Sequence, residues 1–280
     1  MTTGAVDTTR ELAAFLRARR ERLDPDDFGL PARRRARRTP GLRREEVAEL
    51  AGVSTEYVVR LEQARGLRPS VEVLEALSRA LRLAPDERAY LFDLAQQRPA
   101  HGSRPVAVAP PELVRLLADL SPLPAMVRNH RNDILAWNPE MARVIVDYGE
   151  VPVRQRNGIW LFLFHPEVRE RYADRDERLR ECIADLRATW AAHPDDEELA
   201  ERIDEFVSGS AEFAAMWADR DVRVHGSGAK TILHPEVGRF TVDFEALVPV
   251  QHPDHYVVIY RAADPVSRAA LHQLCGGAGR

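Results

Sequence analysis

Arginine clusters and polar residues on short helices carry the most chemistry in this sequence, and that chemistry is the recognition of anions and base edges. Five arginines lie within six residues, Arg33, Arg34, Arg35, Arg37 and Arg38. Guanidinium groups grip phosphate oxygens in forked pairs, so such a run suits the backbone or the minor groove of a duplex. Soon after it comes REEVAELAGVSTEYVVRLEQ, residues 44–63. Two helices that meet at a steep angle through a short turn need a small residue at their crossing, a residue that accepts positive φ in the turn, and a cap on the second helix. Ala48, Gly52 and Ser54 meet these demands, while Val47, Ala51, Val53, Val58 and Leu61 supply the apolar face. The second helix then presents Thr55, Glu56, Val59, Arg60 and Gln63 outward. Glu56 can accept from a cytosine amino group, and Arg60 can meet a guanine or a phosphate. Ser54, Tyr57, Arg43, Arg44, Arg65 and Arg68 complete the set of expected duplex contacts.

A second group of residues points to an apolar pocket. All four tryptophans, Trp137, Trp160, Trp190 and Trp217, fall beyond residue 111, as do Phe162, Phe164, Phe213, Phe240 and Phe244. A curved antiparallel sheet covered by helices on one face encloses an apolar pocket with a few polar anchors. IWLFLF (159–164) is the most apolar segment and is expected to form a wall. Arg128 and His130 are the expected anchors for a carboxylate or carbonyl head, and Trp137, Trp160, Phe162, Phe164 and Trp217 the expected apolar contacts.

Other constellations point to no catalysis. His252 and His255 have the spacing of metal ligands, but the sequence places no third ligand beside them, so no metal is expected. His165-Pro166 and His234-Pro235 read as turns, and the acidic run 195–198 as the start of a helix. There is no phosphate-cradling glycine loop, nucleophile elbow, Cys/His signature, or haem or flavin motif, so neither an enzyme nor a cofactor is expected. Cys182 and Cys275 lie far apart, which fits a reducing compartment. No apolar stretch has the length of a membrane span and the N-terminus lacks a signal-peptide pattern, so the expected location is cytoplasmic, away from membranes.

These residues need elements to position them. Helical patterns cover 11–23, 43–51, 54–64, 70–82 and 86–97, with a basic, breaker-rich loop at 24–41. QQRPAHGSRPVAVAPP (96–111) holds four prolines and marks a boundary. Beyond it, strands are expected at 123–130, 133–138, 221–226, 229–234, 238–248 and 255–261, and helices at 139–147, 158–173, 175–193, 196–208, 210–219 and 267–274. The formal charge of −4 is uneven: residues 1–104 carry 20 Arg against 16 Asp and Glu, so the remainder is net acidic. A basic first third on an acidic body suits a polyanion-binding module. The expected organisation is residues 1–97 as a helix-turn-helix domain, 98–111 as linker and 112–280 as a second domain, an α+β chain with an antiparallel sheet.

Residues 44–63, with the Pro-Ser turn and amphipathic helix of GLRPSVEVLEALSRALRL (66–83), resemble the XRE-type helix-turn-helix family. Arg44 stands where that family often has Gln. LAWN (135–138), HPDDEEL (193–199), EFAAMW (212–217) and HPEVGRFTVDFEAL (234–247) extend the resemblance to the MmyB-like regulators, over about residues 10 to 275. The resemblance implies an all-α helix-turn-helix domain followed by a PAS-like α/β ligand-binding domain. It also implies double-stranded DNA and a small, fatty-acid-like molecule as partners. A homodimer is expected, because one module reads too few base pairs. One alternative stays open at this point: a second domain that serves only dimerisation or the docking of a protein partner.

Overall fold

In a computed structural model of the chain, residues 8–28, 41–65, 68–95, 107–224 and 226–276 are described. The run Arg33, Arg34, Arg35, Arg37 and Arg38 and most of the expected linker lie outside the described residues. The chain divides into two compact units, Met1–His101 with Trp190–Asp204, and Gly102–Thr189 with Glu205–Arg280.

The first unit contains α1 (Thr8–Arg22), α2 (Arg44–Ala51), α3 (Thr55–Glu62), α4 (Val71–Ala80) and α5 (Pro85–Leu94). Apolar residues three and four apart give each helix one face to bury. Leu12, Phe15 and Leu16 of α1, Val47 and Ala48 of α2, Val58 and Leu61 of α3, and Leu74 and Leu77 of α4 are all buried. Phe15 meets Tyr90 of α5 edge to face, ring centres 5.0 Å apart. Helix α2 packs against both α3 and α4, an arrangement that the small side chain of buried Ala48 suits.

A buried carboxylate ties three of these helices together. Glu62, at the end of α3, accepts from Arg20 Nε at 2.6 Å and Nη2 at 3.0 Å, and from Arg44 Nε at 2.8 Å. Arg20 also donates to the carbonyl of Leu42 at 2.9 Å, and Arg17 donates to the carbonyl of Glu62 at 2.8 Å. Burial pulls the Arg20 pKa down, but the hydrogen bond and charge of Glu62 leave it raised overall.

The second unit is built on a five-stranded antiparallel sheet in the order β2-β1-β5-β4-β3. Its strands are β1 (Ala125–Asn129), β2 (Ile134–Trp137), β3 (Ser227–His234), β4 (Gly238–Leu247) and β5 (His255–Ala262). The remaining helices are α6 (Pro111–Asp119), α7 (Pro139–Val144), α8 (Gly158–Phe164), α9 (Pro166–Arg171), α10 (Arg175–Ala192), α11 (Glu197–Gly209), α12 (Ala211–Ala218) and α13 (Pro265–Cys275); of these, the stretch Trp190–Asp204, the end of α10 and most of α11, belongs to the first unit. Strand side chains alternate between faces. Ala125, Val127 and Val257 pack with Leu113 and Leu117 of α6, so Met126, Arg128, Val258 and Tyr260 turn to the opposite face. The chain is α+β, as expected.

Two local expectations change. The helical run expected over 158–173 is broken, because Pro166 has no N–H to continue it. His165 turns extended (φ −83, ψ 117) and its Nδ1 caps α9 at Val168 N–H, 3.5 Å away. The strand expected over 221–226 is absent from 221–224, and β3 begins at Ser227.

Candidate functional site

The turn between α2 and α3 sets the first candidate surface. Gly52 sits in the left-handed region (φ 65, ψ 31), where a side chain would be strained. Its neighbour Val53 donates to the carbonyl of Ala48 at 3.0 Å, which ends α2. Ser54 then takes extended dihedrals and accepts from Tyr57 N–H at 3.1 Å, which starts α3. The result is a bent helix pair with no continuous helix through Gly52.

Ser54, Thr55, Glu56, Arg60, Gln63, Arg65 and Arg68 are exposed, and Tyr57 and Val59 are half-buried. Burial pushes the Tyr57 phenol up, partly offset by Arg60. Arg43 and Arg44 are also half-buried. Arg44 is engaged with Glu62, so its guanidinium is oriented by the protein itself. That engagement joins residues 18 positions apart, which sequence spacing does not reveal.

The second candidate site is a cavity between the sheet and α8, α9 and α10. It measures about 90 Å³ as seen by the centres of water molecules, room for several waters at roughly 10–15 Å³ each on that measure. The sheet contributes Met126 and Arg128 from β1, Lys230 from β3, Phe244 and Ala246 from β4, and Val258 and Tyr260 from β5. The helical side contributes Leu161, Phe162, Val168, Arg178, Cys182 and Asp185, together with Tyr148 and Tyr172 from the connections.

The turn from β1 to β2 brings in Asn132, which has a positive φ of 68°. Asn129 folds this turn by accepting from the N–H groups of Arg131 at 3.0 Å and Asp133 at 2.9 Å. Fully buried Asn157 caps α8 through Ile159 and Trp160 N–H, and donates to the carbonyl of Arg131 at 2.8 Å. These bonds lock the turn against α8 and hold Asn132 at the cavity wall.

Of the residues expected to contact a ligand, Arg128 and Phe162 line the cavity. His130, Trp137, Trp160, Phe164 and Trp217 do not. Trp137 packs on Tyr148 at 5.2 Å beneath the Arg156 guanidinium. Trp160 packs on Phe164, which is exposed. Trp217 stacks on Phe213, with Arg187 3.8 Å from its ring centre. His130 is buried, and its N–H bonds to the Asp254 carbonyl at 2.9 Å.

The electrostatics of the cavity were not anticipated. Arg128 is held by Asn132 Oδ1 at 2.7 Å and Asp185 at 3.4 Å, with its guanidinium 4.4 Å from the ring centre of Tyr256. Arg178 is paired with Asp174 at 3.2 Å, Glu177 at 3.2 Å and Glu181 at 2.5 Å. Tyr172 and Tyr260 hydroxyls lie 3.3 Å apart. Burial, and then the neighbouring Tyr260, hold the Tyr148 and Tyr172 phenols well above the ordinary value. Burial likewise pushes the Cys182 thiol up. The Tyr148 and Tyr172 hydroxyls and the Cys182 thiol are therefore neutral hydrogen-bonding groups at pH 7.

Among the described residues no helix is long and apolar enough to cross a membrane. Residues 11–91 match the family described as a helix-turn-helix domain. Residues 109–274 match the MmyB-like transcription regulator ligand binding domain. No curated protein matches the chain.

Proposed function

Because the chain belongs to the MmyB-like transcription regulators, we propose that it binds operator DNA as a homodimer through α3 and responds to an acyl ligand in the sheet-domain cavity. The observation that carries this is the pairing of two surfaces of opposite character. One is a capped, exposed helix face bearing Thr55, Glu56 and Arg60, and the other is a largely apolar cavity with charged residues on its wall.

On this proposal α3 enters the major groove, and two copies read half-sites roughly 34 Å apart or a multiple of that. Thr55, Glu56 and Arg60 meet base edges, while Ser54, Tyr57, Arg43, Arg65, Arg68 and the run from Arg33 to Arg38 meet phosphates. Ligand changes DNA affinity only through unequal binding to two arrangements of the dimer.

The test is a gel-shift titration on duplexes selected by the protein from a random pool. Arg60→Ala is expected to lose at least about 1 kcal/mol of binding. Replacing the five arginines of 33–38 is expected to flatten the dependence of affinity on salt. Unchanged affinity for Arg60→Ala overturns the base-reading role of α3. Native mass spectrometry of the full chain reports the subunit count, and a monomer alone overturns the homodimer.

A further inference from the structure

Lys230 is the single lysine of the sequence, among 40 lysines and arginines. It lines the cavity and is half-buried. Its Nζ lies 4.2 Å from the ring centre of Phe244, 5.2 Å from that of Tyr260 and 6.0 Å from that of Tyr172. It donates to the Tyr260 hydroxyl at 3.1 Å. Among the described residues no carboxylate comes within ion-pair reach, 4.0 Å, of this ammonium. Glu181 feels the charge of Lys230 but is committed to Arg178. Among the described residues, the two arginines of the wall are countered by carboxylates, and Lys230 is the cation met at close range by ring faces and a hydroxyl. Ring faces stabilise a cation, but far less than a carboxylate does in a dry site.

A second observation stands apart from this one. Asn132 is 5% exposed and lines the same cavity. Its Oδ1 is used by Arg128, and its backbone carbonyl by Gly158 N–H at 2.9 Å. Among the described residues its Nδ2 has no hydrogen-bond partner. A buried donor left unmade costs about 1–3 kcal/mol, so a native structure keeps one where something else completes it. Lys230 is on β3 and Asn132 follows β1, and two strands of the sheet order separate β3 from β1. At about 4.8 Å per strand spacing the two anchors start from backbones about 14 Å apart.

We infer that the cavity takes a monocarboxylate whose head pairs with Lys230 and whose far end carries an acceptor oxygen for Asn132 Nδ2. The inference rests on the cavity being the ligand site, as proposed above. The apolar lining residues Phe162, Val258 and Met126 suit a hydrocarbon spacer. The ligand class is thus an acyl acid oxygenated at its far end, rather than a neutral amide, ester or lactone.

Calorimetric titration of the full-length protein with decanoate, decanamide and decanoate bearing a terminal methyl ketone tests this. Decanoate is expected to bind about tenfold or more tightly than decanamide, the gain of a charge-assisted hydrogen bond. Lys230→Met is expected to remove that preference while leaving decanamide affinity in place, and Lys230→Arg is expected to keep it. The ketone acid is expected to bind more tightly than decanoate. Asn132→Asp retains the acceptor used by Arg128 but lacks the donor, and is expected to erase that gain. If decanamide binds as tightly as decanoate, or Lys230→Met retains the preference, the head assignment is overturned while the cavity remains an acyl site. If none of the three probes binds, the acyl reading falls and the head assignment falls with it.

Discussion

The helix-turn-helix unit and the sheet domain both hold charge away from water, and they treat it differently. In the first, Glu62 and Arg20 are buried together, and the carboxylate is met by the guanidinium groups of Arg20 and Arg44, with that of Arg17 at 4.0 Å. In the second, Lys230 faces three aromatic rings and a hydroxyl, with no carboxylate among the described residues within ion-pair distance. A fully paired buried charge has its partners inside the protein, so its role is to fix geometry. A charge left without a counter-ion beside an apolar cavity is a site prepared for something that arrives. The same contrast holds for shape. The exposed side chains of α3 need only be presented, so a cap and a turn suffice. A cavity needs side chains from strands and helices far apart in sequence to agree.

The largest expected effect breaks the paired side of this comparison. Glu62→Ala leaves Arg20 and Arg44 without their carboxylate at a site where Arg20 is almost wholly buried. Removing one partner of a buried pair costs about 3–5 kcal/mol. Thermal unfolding of the variant followed by circular dichroism is expected to show a loss of that size in the helix-turn-helix unit, with operator binding lost in parallel. A change under about 1 kcal/mol would place the pair in the class of weak surface bridges. The next effect sharpens the cavity side. Val258→Phe adds bulk to a wall residue that is 3% exposed. Overfilling of this kind costs about 1–3 kcal/mol of stability. It is expected to weaken binding of an acyl probe at least about tenfold, by at least 1.4 kcal/mol, while DNA affinity of the ligand-free protein stays unchanged. Equal acyl affinity in both proteins would move the ligand out of this cavity.

The two regions also differed in how far their residues could be read from sequence. The bonds that Ala48, Gly52 and Ser54 make at the turn join residues three to five positions apart, so spacing alone was enough to place the turn, the cap and the exposed face of α3. The engagement of Arg44 with Glu62 spans 18 residues and needed the packed structure. In the sheet domain, alternation within β1 puts Met126 and Arg128 on one face, but joining them to Val258 and Tyr260 needs the register of β1 with β5. Aromatic size was a poor guide. Trp137, Trp160 and Trp217 spend their faces on Tyr148, Phe164 and Arg187, whereas Tyr148, Tyr172 and Tyr260, which composition did not single out, line the cavity. One signal was present for Lys230: a lone lysine in an arginine-rich chain.

Smaller effects test how far each region depends on single polar contacts. Ser54→Ala removes the acceptor for Tyr57 N–H, and loss of such a cap costs about 1 kcal/mol. Denaturant unfolding is expected to show that loss, with the cavity's affinity for an acyl probe unaltered. A fall in acyl affinity of similar size would mean that the two sites are coupled through stability alone.

The smallest effect comes from a histidine in the sheet domain. His234 Nε2 lies 3.0 Å from the carbonyl of Arg143, and its Nδ1 accepts from Glu236 N–H at 3.2 Å. That pattern needs the neutral ring, since protonation turns the Nδ1 acceptor into a donor facing a donor. Burial lowers its pKa below the ordinary histidine value, with the Arg143 carbonyl acting in the opposite sense. In the unfolded chain the ring gains a proton near pH 6.5, as an exposed histidine does, while in the folded chain it stays neutral to lower pH. The unfolded state therefore binds more protons in that window, and the contribution of His234 is complete above about pH 6.5 and lost as pH falls through the lower folded value. Melting temperature measured from pH 7.5 down to pH 5 is expected to fall, and His234→Gln, which does not titrate, is expected to flatten that slope. An identical slope in both proteins would assign the acid sensitivity to other groups.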